Sequence, residues 1–142
     1  MWQILKCIQM LVSCLRKKVL FICTHNSVRS QMAEGLMNAL YGHRYEAYSA
    51  GTEPTKVSPY AVRVMAEAGI DISKHYSKSV QEFRGYEFDY VVTVCDQAKE
   101  TCPFFPGGQK HLHVSFKDPS QLEGPEEEII VGFRHVMNQI RD

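Results

Sequence analysis

Apolar and polar positions fall into short blocks whose period changes along the chain. Residues 17–23, KKVLFIC, run almost without interruption through β-branched and aromatic side chains, the pattern of a strand buried on both faces. From Arg29 to about Leu40, RSQMAEGLMNAL has helical spacing and good helix formers, with Gly42 as a stop. YEAYSAG reads as a second strand closed by Gly51. Ser58 and Pro59 stand in order as cap and first residue of a helix, YAVRVMAEA, that ends at Gly69. IDISKHYSKSV then leads to a short polar turn around Ser79 to Phe83. FDYVVTVC is a third strand and KHLHVSF a shorter fourth. Pro125 opens a last helix, EEEIIVGFRHVMNQIRD, whose first-turn glutamates and terminal Arg141 complement the helix dipole.

Strands alternating with helices imply βαβ units. The expected fold is a single-domain α/β three-layer sandwich, a four-stranded parallel sheet with helices on both faces. Such sheets bind ligands at the carboxyl ends of their strands. Cys23 and Cys95 both close apolar strands, so both belong at that edge.

Length changes the picture only at the N-terminus. The chain has 142 residues, enough for one core. Residues 18–142 account for it, leaving 1–17 as an amphipathic extension. On a helix, Ile4, Leu5, Ile8, Leu11, Val12 and Leu15 share one face, opposite Gln9, Ser13, Arg16 and Lys17. The segment is too short for a span of roughly 20 apolar residues. Its positive charges follow the apolar run, whereas a signal peptide carries them before it. Its partners are open: the domain, a second subunit or a membrane surface. Met10 is an alternative start.

The formal net charge is zero, which argues against a dedicated nucleic-acid binder. The five cysteines (Cys7, Cys14, Cys23, Cys95 and Cys102) are odd in number and show no paired CxxC. A reducing, cytoplasmic setting without structural zinc follows, and no metal or cofactor is expected.

The chemistry concentrates in CTHNSVRS, residues 23–30. A loop between a strand and a helix N-terminus presents backbone N–H groups to an anion, and the helix dipole adds positive charge. In Cys-x5-Arg these groups and the guanidinium converge on the sulfur and favour thiolate. The same donors, from Thr24, His25, Asn26, Ser27, Val28, Arg29 and Ser30, hold a tetrahedral oxyanion, with Arg29 able to bind two of its oxygens. Ser30 can donate to the sulfur and Asn26 can brace the loop.

At this point the chain resembles a family. VLFICTHNSVRSQMAEG is similar to the active-site loop of the low-molecular-weight protein tyrosine phosphatase superfamily, and RSQMAEG to its thioredoxin-coupled arsenate reductase branch. YSAG, IDIS followed by His75, VVTVC with Cys102 beyond it, and KDP extend the resemblance over about residues 18–141. It implies Cys23 as nucleophile, Arg29 and the loop amides as oxyanion binders, and Asp118 as general acid. It also implies Cys95 and Cys102 as redox cysteines, with Asn26, Glu34 and Ser49 supporting the loop. The implied reaction reduces arsenate to arsenite through Cys23–Cys95 and then Cys95–Cys102 disulfides, with thioredoxin or a similar reductant as partner. Cys95 and Cys102 would lie roughly 10 Å apart on a rigid helix, beyond the roughly 7 Å a disulfide spans, so that segment must loop or melt.

Four departures matter. His25 stands where the family more often has glycine, and Val28 where many relatives have a second cysteine. Lys78 replaces an aspartate with which many relatives bind potassium beside Asn26, Glu34 and Ser49; its ammonium can take the cation's place and pair with Glu34. Ser120 and Gln121 follow Asp118-Pro119 where the phosphatases carry tyrosines. The alternatives are a phosphatase hydrolysing phosphomonoesters through a Cys23 phosphocysteine and a non-catalytic anion-binding module. His111, His113, Met32, Met37, Met65 and Met137 read as structural or solvent-facing rather than as ligands.

Overall fold

The apolar run at the start of the domain becomes the centre of the sheet. The structure, a computed structural model, describes residues 1–6, 16–96 and 105–142. Strand β1 is Lys17–Cys23, β2 Tyr45–Gly51, β3 Phe88–Thr93 and β4 Gly108–His113. They form one parallel sheet in the order β2-β1-β3-β4. Because β1 lies between two neighbours, its side chains alternate between two cores. Leu20 and Ile22 enter one with Phe83, Phe88 and Phe105. Val19, Phe21 and Cys23 enter the other with Ala33, Val92 and Val94.

Helices α1 (Arg29–Tyr41), α2 (Pro59–Glu67) and α3 (Glu126–Arg141) follow the expected segments. Helix α1 is buried from Arg29 to Leu36 because it is wedged between the sheet and the other two helices. Its Met32 and Leu36 meet Val64 and Met65 of α2 and Ile130, Phe133 and Met137 of α3. Met32 and Met65 are fully buried, and Met137 nearly so, as core filler. The opposite sheet face is closed by the 3-10 helix Val80–Phe83, started by a Ser79/Glu82 capping box.

Two local expectations changed. Ser58 precedes α2 but makes no side-chain cap bond; its backbone N–H donates instead to the Ser27 carbonyl, at 3.0 Å. Gly42 ends α1 in a right-handed conformation, without the left-handed turn usual for a glycine stop. Gly69 does adopt that conformation, with φ +80°.

Residues 2–6 are helical, with Trp2, Ile4 and Leu5 exposed. The remainder of the expected N-terminal helix lies outside the described residues. Among the described residues no helix is long and apolar enough to cross a membrane.

Leu20 is fully buried at the middle of the central strand. Leu20→Ala should cost about 2–5 kcal/mol, read as a lower urea midpoint with an unchanged slope.

Candidate active site

Parallel register brings the two strand-ending cysteines to one edge. Ile22 pairs with Thr93, and Val94 N–H donates to the Ile22 carbonyl at 2.9 Å. Cys23 and Cys95 therefore leave adjacent strands one and two residues beyond that pair. Both are buried. Cys23 is a free thiol, whereas Cys95 is disulfide-bonded. Cys102 lies outside the described residues.

The chain turns from β1 into α1 through Asn26, which takes a left-handed φ of +50°. Asparagine tolerates this better than most residues because its short amide can bond locally. Asn26 Oδ1 accepts from Gln31 Nε2 and from Lys78 N–H, each at 2.8 Å. Asn26 Nδ2 donates to Ser30 Oγ at 2.8 Å, and Ser30 Oγ is 2.8 Å from Cys23 Sγ. With its oxygen already accepting, the Ser30 hydroxyl has its hydrogen for the sulfur. The turn also needs Gly51 beside it. A Cβ there would stand 2.5 Å from the Thr24 carbonyl and 2.8 Å from Asn26 N.

Arg29 is 2% exposed at the start of α1. Its Nη1 donates to the Phe116 carbonyl at 3.3 Å, and its Nη2 lies 3.5 Å from Asp118 Oδ2. The other carboxylate oxygen, Oδ1, accepts from Ser120 N–H at 3.0 Å and from Ser120 Oγ at 2.7 Å. Asp118 is thus aimed by the turn it caps. Cys23, His25, Ser27, Val28, Arg29 and Asp118 line a cavity of about 400 Å³ whose outer wall is Tyr60, Leu122 and Phe133. Thr24 faces the adjoining depression with Asp96 and His135. Asn26 and Ser30 are fully buried beneath the loop.

A second layer holds the loop from behind. Gln31 Nε2 reaches both Asn26 oxygens and the Tyr76 carbonyl. Glu34 is buried with two neighbours: His75 Nδ1 at 2.9 Å and Lys78 Nζ at 3.9 Å. Lys78 Nζ also donates to the Tyr76 carbonyl at 3.0 Å and lies 4.9 Å from the Tyr76 ring centre. Ser49 Oγ is buried without a hydrogen-bond partner among the described residues. The Lys78 ammonium thus faces the Glu34 carboxylate, where the sequence led us to expect it. Gln31, Tyr60 and Lys56 were not singled out from sequence, and His75 only as part of the resemblance. A buried glutamine in a helix's first turn is a polar signal, but its partners are remote in the chain.

Residues 18–142 match the model of the low molecular weight phosphotyrosine protein phosphatase family. The chain belongs to that family. Within it, an arsenate reductase of Halalkalibacterium halodurans is 42% identical over 125 residues, 88% of this chain and 90% of that protein. A solved arsenate reductase in the phosphate-binding state superposes with TM-score 0.71 at 34% identity, covering 88% of this chain and 91% of the other. A thioredoxin-dependent arsenate reductase of Corynebacterium glutamicum gives TM-score 0.60 at 26% identity, covering 93% and 67%. The expected four-stranded parallel α/β architecture is therefore the family's own.

Ser30→Ala removes the hydroxyl that faces the sulfur. Alkylation of Cys23 by iodoacetamide at neutral pH should slow several-fold with the far-ultraviolet spectrum unchanged. An unchanged rate would show that the hydroxyl does not support the thiolate.

Proposed function

We propose that this protein reduces arsenate to arsenite through a three-cysteine relay. The carrying observation is a free Cys23 thiol in an anion loop with Arg29 and Asp118, beside a disulfide-bonded Cys95 at the same sheet edge. The arsenate reductases among its relatives support the same reading.

Arsenate enters the cavity and competes with Asp118 for Arg29 and the loop amides. Cys23 thiolate attacks arsenic, and Asp118, released from Arg29, protonates the departing hydroxyl as water. Cys95 thiolate attacks the Cys23 sulfur. Arsenic leaves with the bonding electron pair as arsenite, and a Cys23–Cys95 disulfide remains. Cys102 thiolate then attacks Cys95, which frees Cys23. A dithiol protein of the thioredoxin class reduces Cys95–Cys102 by exchange. A disulfide-bonded Cys95 beside a free Cys23 supports a relay that passes through Cys95. Asn26, Glu34, Ser49 and Lys78 act only through the loop.

Turnover of arsenate with thioredoxin, its reductase and NADPH tests the relay. Cys95→Ser and Cys102→Ser should each abolish arsenate turnover while p-nitrophenyl phosphate hydrolysis survives. If neither substitution changes arsenate turnover, the relay is wrong.

The same loop would attack phosphorus, and the apolar wall of Tyr60, Leu122 and Phe133 suits an organic leaving group. Residual phosphomonoester hydrolysis through Cys23 is therefore the second reading. Cys23→Ser should remove both activities.

Lys78 replaces a bound cation in this reading. Exchanging sodium for potassium at constant ionic strength should leave the arsenate rate unchanged. A several-fold rise would place a cation site beside Glu34 after all.

A further inference from the structure

The backbone N–H of His25 belongs to the anion loop, but its side chain has no assigned task. It is half-buried, and its Nδ1–H donates to the Glu53 carbonyl at 3.0 Å. A carbonyl only accepts, so this bond fixes the hydrogen on Nδ1. Nδ1 is thereby committed to the neighbouring loop. That loop, residues 52–58, is laced to the anion loop by three main-chain bonds. Glu53 N–H donates to the Thr24 carbonyl at 2.8 Å, Thr55 N–H to the His25 carbonyl at 3.2 Å, and Ser58 N–H to the Ser27 carbonyl at 3.0 Å. The imidazole is the side-chain member of the set. The laced segment forms one lip of the cavity, where Thr55, Lys56 and Ser58 face Cys23 and Arg29. Lys56 is an exposed cation at the mouth.

We infer that His25 is a positioning residue: it clasps the entrance loop to the anion loop and thereby holds Lys56 where an incoming dianionic oxyanion meets it. Substrate capture depends on the clasp, whereas attack by Cys23 does not. The inference rests on the proposed arsenate reduction for its choice of substrate.

Asparagine places an amide N–H near the position of Nδ1, glutamine near that of Nε2, and glycine supplies neither. His25→Gly and His25→Leu should raise KM for arsenate about three- to tenfold, with kcat within twofold. His25→Asn should hold KM within twofold of wild type, and His25→Gln should not. Lys56→Gln should raise KM similarly, and adding His25→Gly to it should change KM by less than twofold, because both act on one lip. Rescue by glutamine rather than asparagine would mean that His25 meets the substrate through Nε2 and would overturn the clasp. So would multiplying effects of the two substitutions, or a fall in kcat at constant KM. If wild type turns over no arsenate, the proposed activity fails separately. The clasp is then judged by calorimetric affinity for inorganic phosphate, which should follow the same order among the variants; equal affinities would overturn it.

Discussion

Everything in this site hangs on one buried side chain, the Asn26 carboxamide. The chain must leave β1, expose a ring of N–H groups and enter α1 within five residues, and it does so through a left-handed turn at Asn26. The carboxamide accepts from Gln31 and Lys78 and donates to Ser30, which in turn faces the Cys23 sulfur. The main-chain carbonyl of Asn26 accepts separately from Ser77 Oγ at 2.7 Å. Each of these partners is buried or half-buried, and an unpaired buried donor costs about 1–3 kcal/mol. Removing the amide would strand several at once, so loop shape and thiol environment are one network rather than separate properties.

The second layer shows how a buried charge is tolerated. Lys78 is 9% exposed and Glu34 8%, a burial that isolated charges do not survive. Their 3.9 Å separation is loose for an ion pair, but the ammonium also has the Tyr76 carbonyl and ring. The carboxylate also has His75. The pair contributes less through net stability than through place. It fixes the 75–79 segment, whose Lys78 N–H and Ser77 hydroxyl hold Asn26.

The sheet, its helices and the Cys-x5-Arg loop were legible in the sequence because each is local. VLFIC is apolar on both strand faces, RSQMAEG starts a helix, and Cys-x5-Arg spans one turn of chain. What was hidden is what long-range packing decides. His75 and Gln31 are 44 positions apart and meet at 2.9 Å. Ser58 reads as a cap by local rule, yet its N–H serves the Ser27 carbonyl, because the lip of the cavity needs that bond. His25 reads as an anion contact from its place in the loop, but its Nδ1 faces the Glu53 carbonyl, 28 positions on. Val28 stands where the resemblance leads one to expect a second cysteine. In the fold it is a core residue packed with Met32 and Phe133, a role that a smaller thiol would fill less well.

The loop alone does not choose between hydrolysis and reduction. Cys23, Arg29 and Asp118 can form a thiol ester of arsenic or phosphorus by the same in-line attack. The outcome depends on what reaches the intermediate next. Water attacks the central atom and returns it unreduced; a thiolate attacks the sulfur and leaves the electron pair behind. Strand order settles which nucleophile is near. Because β1 and β3 are neighbours and parallel, the residues after Thr93 emerge beside Cys23. A cysteine two positions past that pair is therefore within the neighbourhood of the nucleophile, whatever the loop sequence. The sheet's topology thus brings a second cysteine, Cys95, to the edge where the loop opens, and the loop's own chemistry does not depend on it.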